Sequence, residues 1–587
     1  MKWKKPMAAI GALALLAAGA CGGSDDGSDT DSERDLDIEG AGLAQDPNVE
    51  PPAAEIEGAQ SGGTVTVLSA LGLNTMHPSE AYYTNTGSIL TNLVTRTLTQ
   101  YRYNPEIEGM ELVPDLATDL GRPNEDFTEW TFTLRDGVRY EDGTEVQPED
   151  FVTATEMSFD RTQFPDGAEY SNEYFLNGYD EKGNPLYEGR YTDPNGSCEC
   201  VEVNGNDITF KMARPFPSMN YWATFPAMSP IPADKSQDPD QYALHPLSTG
   251  PYMFDEYEPE TSLTLVKNPE WDPNTDPARH QYVDQWNMEF LEDSSALDQV
   301  IIEDQGDAQT TLTYDNLLLP DYQKAKQEAP DRIVEGQDPC QFYVYPDTRK
   351  ITDPKVREAM AWAYPYEDAW LAGGEIVGVT RSPETQIIPR GVDGRVEPPY
   401  DVYGNGGRET DPERARQLLE EAGKVGMPLR FLYASDDPPS VDVKDVLVRA
   451  WREAGFDPKP VATTVAEFST LRADPNTPID YRTGGWCLDW PAWDSWLPPL
   501  FQTDQYANYS FFSNKQVDQR IREIQNLPPE EATEAASELE QDIMEQYKPV
   551  IPVGKGGVAM MHGSRINGME VDSVYGLPTW RDIWISQ

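Results

Sequence analysis

The chain has 587 residues, with 102 Asp and Glu against 45 Lys and Arg, for a formal charge of -57. That charge would repel nucleic-acid phosphates, so nucleic acid is set aside as a partner, while solubility and the attraction of cationic ligands are favoured. Most of it reads as a solvated acidic surface. The length exceeds the ~250–300 residues that one core usually reaches, and 14 Trp, 29 Tyr and 18 Phe point to an aromatic-rich folded body with more than one lobe.

Lys2, Lys4 and Lys5 precede an apolar run from Met7 to Ala20. The run is too short to span a bilayer as an ordinary helix and fits a secretory signal. It ends Leu16-Ala17-Ala18-Gly19-Ala20-Cys21, which resembles a bacterial lipobox: residues 1–21 would be the lipoprotein signal peptide, with Cys21 carrying the lipid. Residues 22–61 are rich in Gly, Ser, Asp and Glu, with Arg34 as their only basic residue, and read as an acidic flexible tether. The expected location is the extracytoplasmic face of the cell membrane, held by the lipid. Four cysteines remain, Cys198, Cys200, Cys340 and Cys487. Outside the cell they suggest disulfides, and three pairings are open. Cys198 and Cys200 lack the second half of a zinc site and the four His are scattered, so no metal or other cofactor is expected.

The folded body begins at Gly62-Gly63 with a strand over Thr64–Leu68. Trp130, Phe132 and Leu134 alternate with Thr131, Thr133 and Arg135, and Asp136-Gly137 then predicts a hairpin turn into Val138 and Tyr140. A second Asp-Gly, at 142–143, ends that ribbon, and Pro148 opens a helix over 149–161. In the second half, Asp353-Pro354 and Asp411-Pro412 each predict an N-cap followed by an N1 proline. Val443, Val446, Leu447, Ala450 and Trp451 mark a third helix face. Strands at Leu429–Tyr433 and around Asp480–Trp486 lie between these helices, so this half is expected to be α/β.

Five segments in order resemble the family 5 extracellular solute-binding proteins. They are Val113-Pro114-Asp115-Leu116-Ala117-Thr118 leading to Trp130–Val138 and Asp142–Val152; Ser248-Thr249-Gly250-Pro251-Tyr252; Asp353–Ala359; Ala415–Gly423; and Gly485-Trp486-Cys487-Leu488-Asp489-Trp490. The resemblance implies an α/β, two-lobed periplasmic-binding-protein type II-like (cluster C) fold with an extra subdomain inserted in lobe I. Lobe I would take 62–104, 225–338 and 558–587, the subdomain 105–224, and lobe II 339–557. The protein would be no enzyme but a monomeric receptor of an ABC importer, holding its ligand between the lobes and passing it to permease subunits.

The same resemblance implies the site. Asp489 would accept the α-ammonium of a peptide by a charge-assisted bond. Gly484 and Gly485 admit a second backbone beside their strand, as β-addition requires. Trp486 would line the ligand, with Trp490, Trp493 and Trp496 mainly core, and Tyr82, Tyr83 and Thr84 would touch the ligand backbone from lobe I. A basic contact does not transfer to Arg482, because a one-residue slip changes the strand face. The loop Asp436-Asp437-Pro438-Pro439 holds no arginine for a ligand carboxylate, which disfavours a strict dipeptide specialist. Cys340 and Cys487 match a disulfide of some oligopeptide-binding relatives, leaving Cys198 and Cys200 to pair locally or stay free. The cargo expected first is oligopeptide. Oligosaccharide or another small organic solute, stacked on Trp486 or Trp490, is the alternative, and a secreted hydrolase the third reading.

Overall fold

The computed structural model describes residues 44–587 other than 71, 181–182 and 291–293. The signal peptide, Cys21 and the tether as far as 43 lie outside the described residues. The rest forms two compact units: an N-terminal unit running to Asp315 and including Ala329–Val334 and Met560–Gln587, and a central unit of Asn316–Glu328 and Glu335–Ala559.

In the N-terminal unit the main sheet runs Tyr252–Glu258, Ser262–Lys267, Gln285–Phe290, Thr64–Ser69, Thr311–Thr313. Thr64–Ser69 pairs in parallel with both of its neighbours. Its Val65 and Val67 are buried, as the central place in a parallel sheet demands. A second sheet, ordered Arg122–Pro123, Glu129–Thr133, Asp207–Lys211, Val201–Asn204, occupies the stretch read as an inserted subdomain.

Three sequence readings are corrected here. Glu129–Thr133 does not form a hairpin through Asp136-Gly137; it pairs with Asp207–Lys211, some 75 residues on, through Trp130 opposite Phe210 and Phe132 opposite Ile208. The hairpin forms one turn later around Asp142-Gly143, where Tyr140 N–H donates to Thr144 O (2.8 Å) and Val146 N–H to Val138 O (3.0 Å). Gly143 sits at φ +82°, the left-handed conformation such a turn needs. Second, the folded body starts before Gly62. Ala44–Gln45 adds in parallel to Gly109–Pro114, Gln45 Nε2 donates to the Tyr221 hydroxyl (2.7 Å), and Val49 packs with Val113 and Ala278. Third, Asn316–Glu328 belongs to the central unit, where the Tyr322 hydroxyl donates to Glu335 Oε1 and Lys326 pairs with the same carboxylate, both at 2.6 Å.

The central unit carries strands β1 (Ile333–Pro346), β2 (Pro428–Ala434), β3 (Asp457–Thr463), β4 (Tyr481–Cys487) and β5 (Ile551–His562), with the ends of β1 and β5 lying in the other unit. Its helices are α1 (Pro354–Ala363), α2 (Tyr366–Ala372), α3 (Pro412–Glu421), α4 (Pro438–Glu453), α5 (Val465–Ala473), α6 (Lys515–Ile524) and α7 (Pro529–Gln546), besides short turns. β4 runs antiparallel to β1 and β1 lies beside β5; β2 and β3 form a parallel pair. The Asp-Pro starts at Asp353 and Asp411 behave as expected, each accepting backbone N–H groups in the first turns of α1 and α3, and Asp437, read from the sequence only as part of a loop, does the same for α4. Val356, Ala359, Met360 and Ala363 of α1 are buried, and Leu447, Ala450 and Trp451 of α4 pack inward.

Candidate ligand-binding strand

β4 is the outer strand of its sheet among the described residues, paired on one side with β1 from Tyr481 opposite Pro346 to Cys487 opposite Cys340. Its first residues are fastened to β2, since Asp480 N–H donates to Arg430 O and the Asp480 carboxylate takes Arg430 bidentately (2.7 and 2.8 Å). Its last residue is fixed by the Cys340–Cys487 disulfide, and Leu488 N–H donates to Pro339 O (2.9 Å). Asp489, half-buried, follows immediately. The segment from Thr483 to Asp489 is thus held at both ends while one of its edges carries no strand.

Gly484 and Gly485 have neighbours that explain them locally. A Cβ on Gly484 would lie 2.8 Å from Arg472 Nη1, and one on Gly485 would press on the Phe342 ring at 3.1 Å. Trp486 is half-buried, donating its indole N–H to Ser495 O (2.7 Å) and meeting Tyr506 edge to face. Trp490, Trp493 and Trp496 are buried, and the Trp490 indole donates to Asp494 Oδ1 (2.6 Å). Trp490 is therefore not placed to stack on a sugar. Arg482 is spent inside the unit: Nε donates to Arg472 O (2.7 Å), the guanidinium faces Asp347 at 3.5 Å and lies over Phe511, and burial lowers its pKa to about 10. In the loop after β2, Asp437 caps α4 through Ser440 N–H (2.8 Å) and Asp436 accepts from Val465 N–H at the start of α5 (2.9 Å). These acids organise helix starts.

Tyr82, Tyr83 and Thr84 belong to the N-terminal unit, at the start of the helix Thr84–Ile89. All three are half-buried; Tyr83 is the N-cap, and burial pushes its hydroxyl up to about 12. The Cys340–Cys487 disulfide is present, and of the two outcomes left open for Cys198 and Cys200 the structure has the local disulfide. Asp338, Cys340 and Cys487 bring ligand-type atoms within 4.8 Å of one another, but the two sulfurs are bonded together and supply no thiolate.

Sequence reasoning missed a cavity of about 170 Å³ within the central unit, whose wall includes Thr483 and Gly484 of β4. Phe431 and Tyr433 alternate along β2 and read as core, while Trp370 and Phe468 reach the cavity from helices far away in sequence. Only tertiary packing joins them.

A mixed α/β body of two units, offering a braced strand edge with a carboxylate at its end, is the architecture of a binding protein. The chain belongs to the bacterial extracellular solute-binding proteins, family 5, whose middle region matches residues 111–508. It is a binding protein and not an enzyme. The periplasmic oligopeptide-binding protein OppA of Salmonella typhimurium is 23% identical over 443 residues, covering 73% of this chain and 77% of OppA. Heme-binding protein A of Haemophilus influenzae is 23% identical, covering 77% and 81%. Among solved structures, clavulanic acid biosynthesis oligopeptide binding protein 2 superposes with a TM-score of 0.79 at 23% identity, over 90% of this chain and 96% of that one. DppA of Helicobacter pylori, solved with the peptide STSA, gives a TM-score of 0.68 at 17% identity, covering 90% and 99%. These likenesses bear out the two-lobed type II-like α/β fold class. Among the described residues no helix is long and apolar enough to cross a membrane.

Proposed function

We propose that the protein is the lipid-anchored receptor of an ABC importer, capturing oligopeptides outside the cell and passing them to membrane permease subunits. The observation that carries the reading is the outer edge of β4, braced at both ends and terminating in Asp489. An extended peptide can pair its main chain with such an edge without regard to side chains, which suits a broad carrier. Asp489 would take the peptide's α-ammonium, and Trp486 would lie against the peptide near its first residues. Tyr82, Tyr83 and Thr84 are proposed as contacts from the N-terminal unit. Relatives named for oligopeptides and a structure solved with a tetrapeptide support this cargo over sugar. Cys21 would carry the lipid.

Native mass spectrometry of the full chain carrying Cys21→Ala, recovered without denaturation from rich medium, tests the cargo. Heterogeneous adducts that resolve into short peptides on denaturation are expected. A single sugar-like mass would overturn the peptide reading. Cells fed labelled palmitate should label the protein through Cys21, and equal labelling of Cys21→Ala, or no label on the parent chain, would remove the lipid anchor.

A further inference from the structure

The cavity beside β4 has one wall of sheet and one of helix. Phe342 and Tyr343 of β1, Phe431 and Tyr433 of β2 and Thr483 and Gly484 of β4 form the first; Ala369 and Trp370 of α2, Val443 and Leu447 of α4 and Phe468 of α5 form the second. Its larger rings are pinned. The Trp370 indole donates to Val553 O (2.8 Å), the Tyr343 hydroxyl donates to Ile387 O (3.0 Å), and Phe431 stacks on Tyr481 at 5.2 Å between centroids. These side chains cannot swing inward to close the space without breaking those contacts. Protein interiors otherwise pack with few voids larger than a water molecule.

The polar groups at the rim are few and their charges are largely matched. Arg381 lies on the Phe342 face at 3.4 Å and pairs with Glu375, leaving its Nη1 with no hydrogen-bond partner among the described residues. Lys444 is held by Asp445 at 2.6 Å and lies over the Tyr433 ring. Tyr364, also buried, belongs to the same lining. Two ion-paired cations thus border an aromatic interior.

We propose that this cavity is a side-chain subsite that receives one aromatic residue, phenylalanine or tyrosine, of a peptide lying along β4. The inference rests on the peptide-carrier reading and adds a side-chain preference to it. Three observations carry it. A volume of about 170 Å³ suits a ring, since an apolar cavity of roughly 150 Å³ takes benzene. The walls offer ring faces and edges for offset or edge-to-face contact. Thr483 and Gly484 belong both to the cavity wall and to the strand on which the peptide would pair; because side chains of an extended chain alternate, a peptide in register there turns one residue toward the cavity. A lysine or arginine side chain would have to leave its charge desolvated in this aromatic interior, because the one carboxylate of the lining, Glu375, is already paired with Arg381.

Calorimetry on the full chain tests this with tetraalanine and tetraalanines bearing a single Phe, Tyr or Lys at each position in turn. At one position, Phe and Tyr should bind roughly 10- to 100-fold tighter than Ala, the gain expected from burying a ring, while Lys there gains nothing. Val443→Phe, which fills the cavity from α4, should abolish that gain in a variant that still melts in one cooperative transition. An aromatic gain that is absent, equal at every position or intact in Val443→Phe would overturn the subsite and leave the peptide reading standing. Failure of every tetrapeptide to bind would overturn both.

Discussion

Glu540 is a buried carboxyl in α7 whose Oε1 accepts from Ile387 N–H (2.8 Å) and the Tyr400 hydroxyl (2.7 Å). Burial raises its pKa from 4.5 to about 7, only partly offset by those bonds and by Arg395. The folded chain keeps this proton at pH values where the unfolded chain has released it. Its stabilisation is therefore complete below about pH 4.5 and is lost as pH rises through about 7. The loss is on the order of 3 kcal/mol. Melting temperature should fall between pH 5 and 8, and Glu540→Gln, which keeps the acceptor oxygen but cannot ionise, should flatten that fall; parallel curves would dismiss the assignment. Asp489 carries the other prediction at this scale. Asp489→Asn should weaken peptides with free N-termini roughly 10- to 100-fold, the worth of a charge-assisted bond, and leave N-acetylated peptides nearly unaffected in the same calorimetric titration. Equal losses for both classes would remove the ammonium role.

Among elements, β4 depends on the Cys340–Cys487 bond more than its length suggests. The bond closes a separation of 147 residues, against 2 for Cys198–Cys200. Chain-entropy arguments give long closures the larger effect. Replacing both Cys340 and Cys487 by Ala should cost about 2–4 kcal/mol and lower the melting temperature well beyond the matching change at Cys198 and Cys200; similar small shifts for both pairs would contradict this. The elements that were legible in the sequence are those whose signals are local. Asp353 and Asp411 mark helix starts through their own side chains, and the motif residues turn out to be scaffolding. Asp115 is fully buried between Arg96 (2.8 Å) and Arg279 (2.9 Å), Gly250 sits where a Cβ would meet Val94 O at 2.8 Å, and Arg357 donates to the carbonyl of Lys548 (2.9 Å). Such residues announce the fold because their buried contacts join parts of the chain far apart in sequence. The strand edge could be read for a similar reason, since Trp486-Cys487-Leu488-Asp489 is contiguous. The cavity could not: Trp370, Phe431, Val443 and Phe468 come from four elements, and nothing in any one of them distinguishes a cavity wall from core. Pairing partners were equally hidden, because Glu129–Thr133 chose a strand some 75 residues away over the adjacent turn.

For the whole molecule, the charge of -57 sets the long-range field. Under the peptide reading it should speed the approach of cationic peptides while leaving the subsite beside β4 selective for rings. Stopped-flow association of a lysine-bearing peptide should slow roughly tenfold between about 20 mM and 500 mM salt, as screening shortens the field, while a neutral peptide of equal length holds its rate. Identical salt responses would show that the acidity is a matter of solubility alone.

The strand at Ala44–Gln45 bears on how far this body could stray from a membrane. A lipid on Cys21 would be separated from Ala44, stitched into the N-terminal unit, by the 22 residues from Gly22 to Leu43, where a body beginning at Gly62 would have left 40. Even pulled straight, 22 residues reach no more than ~80 Å. Ala44 would then stay within that radius of its anchor, and a bound ligand within that radius plus its own distance from Ala44. A permease in the same bilayer would meet it as a permanently concentrated neighbour, and hand-over could proceed without tight binding between the two.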